Sequence, residues 1–389
     1  MPLPSLPVAA TWASGELVLA PALRAQVSDA VALLAARPMF IGTQTAANQP
    51  IPDSTTTTIT LDTELADNFS GHQIDTDPSR YYGMLPGYYL CEATVPLVDT
   101  GSPGTGTLSA QIGGVQAGGA QTYFGGMRTP NNNGHATVAT AAKLMVMQNT
   151  GYGTGDYIQA AVYQSSGLSP VPDLVNSATK FPYLSARWVG AIAGTQPLIV
   201  PTNDAWPAPP TLLGHVFMNK NVRDTIEYLI YPPVFEAQQA NAQNLTSQTS
   251  VPATGQLITM GSNSVSAITD DNYGAWSNSI NTWTAPVAGL YYAYGQVGLT
   301  TASGAVSMAA GLTVASLNYN SGSAYTIWGG TMATNAATVS VNNVRRRLRL
   351  NAGDTIQLAG FQKDSSAAGN LLLTTGTWRS RLIVVWEAA

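Results

Sequence analysis

The chain has one cysteine, Cys91, so no intrachain disulfide framework holds it together. Among alternating apolar neighbours that thiol is expected to be a buried structural residue rather than a reactive one. Charge is scarce as well: Asp, Glu, Lys and Arg make up 10% of the residues, where a soluble domain ordinarily carries about a quarter. The formal net charge of −5 supplies no basic excess, which argues against nucleic acid as a partner. No apolar run reaches about 18 residues, so no membrane insertion is expected. MPLPSLPVAATW has no basic segment and its apolar stretch is broken by prolines, so no export signal is expected and synthesis in a cytoplasm is expected.

The motifs of chemistry are missing too. His72, His135 and His215 are far apart, and none stands in a zinc-like spacing with Cys91. There is no Gly-x-Ser-x-Gly nucleophile elbow, and no segment singles out paired carboxylates for glycoside cleavage. Asp62, Glu64 and Asp67, and again Asp270 and Asp271 with Asn272, offer oxygen ligands that suit Ca²⁺, but nothing resembles an EF-hand loop. The expectation is therefore no enzyme, no cofactor and no metal.

Thr, Ser, Asn, Gln and 37 Gly take the place of charge. Thr and Tyr fit pleated surfaces and Gly serves turns, so this composition suits a β-rich chain solubilised by hydroxyls and amides. Within it, TWTAPVAGLYYAYG, Thr282 to Gly295, marks a turn at Pro286 and Gly289 followed by an alternating strand. Tyr291, Ala293, Val297 and Leu299 share one face; Leu290, Tyr292 and Tyr294 share the other. RYYGMLPGYYLCEATVPL, Arg80 to Leu97, repeats the turn and the alternation, with Tyr89, Cys91, Ala93, Val95 and Leu97 on its inward face.

The repeat extends beyond this strand. After Trp12, a helix is expected from about Pro21 to Ala36, with Leu23, Val27, Val31 and Leu34 as one stripe, ended by Arg37-Pro38. After Trp206, the residues Met218, Val222, Ile226 and Leu229 recur at the same spacings, ended by Pro232-Pro233. GTGDYIQAAVYQSSG from Gly153 matches NAGDTIQLAGFQKDS from Asn351, and each half closes on a strand, LSARWVGAI and SRLIVVWEA. The expected fold is all-β: two tandem jelly-roll sandwiches, each preceded by a short α-helix. The expected domains are an N-terminal arm and short helix (1–41), a first jelly roll (42–194), a linker with a second short helix (195–236) and a second jelly roll (237–389).

The second unit carries a resemblance. WTAPVAGLYYAYG, then LRLNAGDTIQLAGF, then SRLIVVW, resembles the jelly roll of complement globular heads and tumour-necrosis-factor ligands over most of Leu245 to Ala389. That resemblance implies a homotrimer. The first unit lacks the Ala before its proline in PGYYLCE, so its assignment rests on the internal repeat. A second resemblance lies at the N-terminus, in Pro4, Ser5, Leu6, Pro7, Trp12, Gly15, Glu16, Leu17, Val18, Val27, Asp29, Ala30 and Val31. This pattern is similar to that of virion proteins encoded among the tail genes of actinobacterial phages. It implies a virion structural protein, a minor tail component at the tail tip, baseplate or fibre. Pro4, Leu6 and Trp12 would form its attachment arm, and other virion proteins would be its partners.

Three side-chain sets remain open at this stage. The helical stripes either pack on their own jelly rolls or form a three-stranded seam, with Leu23, Val27, Val31, Leu34, Met218, Val222, Ile226 and Leu229 along a trimer axis. Arg345, Arg347 and Arg349 fall on one face of a strand; they make a solvated face, ion pairs between subunits, or a contact to an anionic polymer such as host cell-wall glycan phosphate. Tyr325 and Trp328 form either a sugar-stacking platform or part of a subunit interface. The leading expectation is a tail component touching the host surface. The rivals are a capsid decoration or head-fibre protein docked on the major capsid protein, and a carbohydrate-binding receptor module.

Overall fold

The computed structural model describes residues 27–98 apart from 46–48, and 107–192 apart from 117–120, 131–136, 149, 152, 166–172 and 175–180. It also describes 222–300 apart from 240, 249, 251–254 and 261–267, and 306–388 apart from 316–323, 330–331, 335–338, 365–369 and 373–378. Pro4, Leu6, Trp12, Leu23 and Met218 lie outside the described residues.

Nine principal strands build each half. In the first they are β1 (Met39–Thr43), β2 (Thr63–Asp67), β3 (Asp77–Tyr82), β4 (Gly87–Val98), β5 (Thr107–Val115), β6 (Thr122–Pro130), β7 (Thr137–Met147), β8 (Tyr157–Ser165) and β9 (Tyr183–Gly190). In the second they are β10 (Val234–Gln238), β11 (Ile268–Asp271), β12 (Thr282–Thr284), β13 (Gly289–Thr300), β14 (Val306–Ala315), β15 (Ala324–Trp328), β16 (Val339–Leu350), β17 (Thr355–Asp364) and β18 (Arg381–Ala388). All pair antiparallel, in two sheets per half. One runs β7-β4-β9-β1-β2 and its counterpart β16-β13-β18-β10-β11. The other runs β6-β5-β8-β3 and its counterpart β15-β14-β17-β12. The order is the same in both halves, strand for strand: the chain is two tandem jelly-roll sandwiches.

Alternation places the core. In β4, Tyr89, Cys91, Ala93 and Val95 turn inward and are at most 1% exposed; in β13, Tyr291, Ala293, Val297 and Leu299 do the same. Each strand begins beneath a turn closed by its own tyrosine: Tyr89 Oη donates to the Leu85 carbonyl (2.9 Å) and Tyr291 Oη to the Val287 carbonyl (2.8 Å). The closing strand completes the corner, since Trp188 lies against Gly87 and Trp386 against Gly289. Strands begin slightly ahead of the expected domain limits, at Met39 and Val234, because Pro38 and Pro233 end the helical connections.

Among the described residues two seven-residue helices precede the sandwiches, α1 (Asp29–Ala35) and α2 (Asp224–Ile230). They lie against each other within the chain. α2 serves both halves: Ile226 and Ile230 are buried in the first core, whereas Tyr228 packs into the second, its ring 5.2 Å from that of Trp386. Among the described residues no helix is long and apolar enough to cross a membrane.

Candidate functional site: the joint between the two halves

The outer faces of the two helix-side sheets, those led by β1 and β10, do not meet water throughout. Tyr88 and Leu90 on β4, Ala142 and Leu144 on β7 and Val189 on β9 form one apolar cluster with Val234, Tyr292, Tyr294, Ile383 and Val385 of the second half. A face that reads as outward from strand alternation is therefore a second interior. Burying it removes several large side chains from water, at about 25 cal/mol per Å² of apolar area.

Charge is set into this apolar seam. Lys143 Nζ lies 2.6 Å from Glu236 Oε1, and Arg381 Nε lies 3.1 Å from the same oxygen. All three side chains are at most 5% exposed. The Phe124 ring sits under both cations, 4.6 Å from Lys143 Nζ and 5.6 Å from the Arg381 guanidinium carbon. Burial pulls the Lys143 ammonium below its usual range, while Glu236 beside it pulls the other way. Nearby, Tyr88 hydrogen-bonds Asp270, whose carboxyl is pushed up to about 7, first by burial and then by Glu236.

The margin of the joint is ionic and wetter. Arg345 Nη1 meets Glu92 at 3.1 Å and Tyr292 Oη donates to the same carboxylate at 2.8 Å. Arg187 and Arg347 share Glu387, at 2.5 and 2.8 Å. Asn343 Nδ2 donates to Thr140 Oγ1 at 3.1 Å, and Val341 pairs with Arg128 in backbone register, so β16 continues into β6 of the other half.

The structure thus brings together some of the residues expected to act and disperses others. Arg345 and Arg347 are half engaged in ion pairs at the joint, whereas Arg349 is exposed further along β16. Tyr325 and Trp328 lie on β15 and are half-buried, packed on the second sandwich; Trp328 meets Phe361 edge-on at 6.1 Å. Of the helical stripes, Ile226 is buried, Val27, Leu34, Val222 and Leu229 pack partly against the two cores, and Val31 is 53% exposed. The acidic residues lie on or beside β2 and β11 and are engaged by backbone amides or by a neighbouring side chain. Asp62 accepts from Thr45 N, Asp67 from His72 N, and Asp271 from Ala275 N and Trp276 N, while Glu64 pairs with His72 at 2.8 Å. Among the described residues no group of three or more His, Cys, Asp or Glu is placed to hold a metal ion.

Sequence reasoning missed Glu92, Lys143, Glu236 and Arg381, and singled out Asp270 as a cation ligand rather than as part of this joint. The available signal was a lone charge inside an apolar strand, as in AAKLMVM, VFEAQ and SRLIVVW.

No protein-family model and no curated protein matches the chain. Solved structures do. The likeness is to complement and tumour-necrosis-factor jelly rolls. The globular domain of a zebrafish complement 1qA protein is 12% identical, with a TM-score of 0.27, over 39% of this chain and 96% of that one. Murine APRIL gives 12% identity and 0.27 over 39% and 98%. Eiger TNF from S. frugiperda gives 12% and 0.28 over 40% and 92%.

Proposed function

We propose that this protein is a non-catalytic structural component of a phage virion, assembled as a homotrimer. In this reading it is a minor tail protein of the tail tip, baseplate or fibre, attached through its N-terminal arm around Pro4, Leu6 and Trp12. The observation that carries the structural role is the joint. Two jelly rolls meet through an apolar cluster and a buried Lys143–Glu236–Arg381 triad, which ties the two sandwiches to each other within the chain. The N-terminal sequence pattern supports the virion, and the likeness of WTAPVAGLYYAYG and LRLNAGDTIQLAGF to trimeric jelly rolls supports three copies.

Three copies multiply every weak surface contact, so avidity rather than a deep pocket would hold a host surface. Arg349, exposed on β16 beside Arg345 and Arg347, would offer its guanidinium to an anionic cell-wall polymer. Mass spectrometry of tails and heads separated from disrupted virions tests the reading. The protein is expected in the tail fraction at three copies or a multiple of three. Recovery with heads would assign it to capsid decoration instead, and absence from particles would reject a virion role.

A further inference from the structure

The duplication makes each half a reference for the other. Ile41 and Glu236 each follow the core phenylalanine, Phe40 and Phe235, on the strand paired with the closing one. Tyr183 and Arg381 each open that closing strand, with Ser185 and Ile383 two residues on. Val138 lies opposite Pro96 as Val341 lies opposite Gly298.

In the second half this face is sealed. Glu236, Val341 and Ile383 are 0% exposed and Arg381 is 1%, with Phe124 and Lys143 of the first half lying across it. Among the described residues the same face of the first half is open. Ile41, Val138, Tyr183 and Ser185, joined by Leu65 and Phe181, line a pocket of about 610 Å³, and Leu65 is 68% exposed. Arg345 reaches its margin at Glu92 and Tyr183.

The edge that would seal it is occupied by β6 of the same chain only at Val341 and is exposed further along, at Arg346. Ile112 pairs with Phe124 as Leu312 pairs with Ile327, and Cys91 pairs with Lys143 as Ala293 pairs with Arg346. The counterparts of the two covering side chains are thus Ile327, half-buried, and Arg346, exposed. We infer that the open face of the first half is closed by the β15–β16 edge of a second copy of this chain, repeating between molecules the contact made inside each one.

This inference deepens the proposed assembly and rests on it only for the number of copies. The contact is head-to-tail, so identical copies either close into a ring or extend as a filament; a homotrimer is the three-copy ring, with first and second halves alternating around it. Its chemistry differs from the internal joint. Ile41 stands where Glu236 does and Tyr183 where Arg381 does, so Arg346, the counterpart of Lys143, meets no carboxylate there and stays at the solvated rim while Ile327 and the apolar lining supply the burial.

The test replaces Leu65 with a photo-crosslinking benzoylphenylalanine in the full chain and, separately, with Asp. Irradiation is expected to join residue 65 to 324–328 or 339–350 of another molecule, and Leu65→Asp to convert the assembly to monomers by light scattering, with unchanged circular dichroism. Three outcomes overturn the inference: a monomeric unmodified chain, cross-links to the first half of another copy, or an assembly that survives Leu65→Asp. The last two leave the homotrimer and the virion role standing, so the readings fail separately.

Discussion

At Gly87 and Gly289 the backbone passes directly under an indole, that of Trp188 and of Trp386, with no room for a Cβ beside the ring nitrogen. The carbonyls of Gly190 and Ala388 crowd the same point at 2.5 Å, so neither neighbour can swing away. Gly289→Ala is therefore expected to cost stability by overpacking, about 1–3 kcal/mol, read as a lower urea midpoint at unchanged slope. The turn itself was legible, because Pro-x-Gly or Pro-x-x-Gly before an aromatic run marks a strand start. What made the glycine obligatory was not, since the indole comes from about 100 residues further along the chain. The paired tyrosines were half legible in the same way. Alternation assigns Tyr89 and Tyr291 to the core, but it assigns Tyr88 and Tyr292 to water, where a second buried surface in fact receives them.

Strands β7 and β16 occupy the same place in the two sandwiches, yet one presents Ala142, Leu144 and Val146 where the other presents Arg345, Arg347 and Arg349. The difference follows from what each meets: β7 faces the other half, and β16 faces outward with arginines that reach Glu92 and Glu387 at the margin. The repeat was readable from sequence because it depends on local pattern, whereas the joint depends on how two finished sandwiches dock. Within that joint Lys143 balances Glu236 in a setting nearly free of water. Lys143→Met leaves the Glu236 carboxylate buried beside Arg381 alone, and about 3–5 kcal/mol of stability should be lost. Adding Glu236→Gln should recover part of that loss in a double-mutant cycle, because a neutral amide no longer needs the ammonium.

Asp270 lies on β11 in the same seam and gives it a pH dependence. Its carboxyl titrates at about 7 in the fold, raised by burial and Glu236 and partly lowered by Lys143 and the Tyr88 hydrogen bond, against an ordinary value of 3.8. Between those values the folded chain holds a proton that the unfolded chain has released. Stability therefore falls as pH rises through this window, and the contribution is greatest on its acidic side. Thermal melts from about pH 5 to pH 7.5 should show a declining midpoint in the native protein and a flatter profile in Asp270→Asn, the difference between the two series isolating this group.

At the scale of the whole molecule the question is whether two sandwiches behave as two domains or one. Each has its own core, which on sequence grounds suggests independent units joined by a linker. The contacts argue otherwise. Helix α2 places Ile226 and Ile230 in the first core and Tyr228 in the second, and β16 runs into β6 through the Val341–Arg128 pair. Opening the joint would expose the apolar cluster around Tyr292, Ile383 and Val385 while stranding the Lys143–Glu236–Arg381 triad between water and a bared interior. Neither half can then unfold without destabilising the other, and calorimetry of the full chain should give one transition with equal calorimetric and van't Hoff enthalpies per cooperative unit. Two resolved transitions would mean that the seam adds little free energy. The same scan on Lys143→Met provides the internal comparison: weakening the seam should broaden the single peak or split it, whereas damage confined to one core should lower the single peak without splitting it.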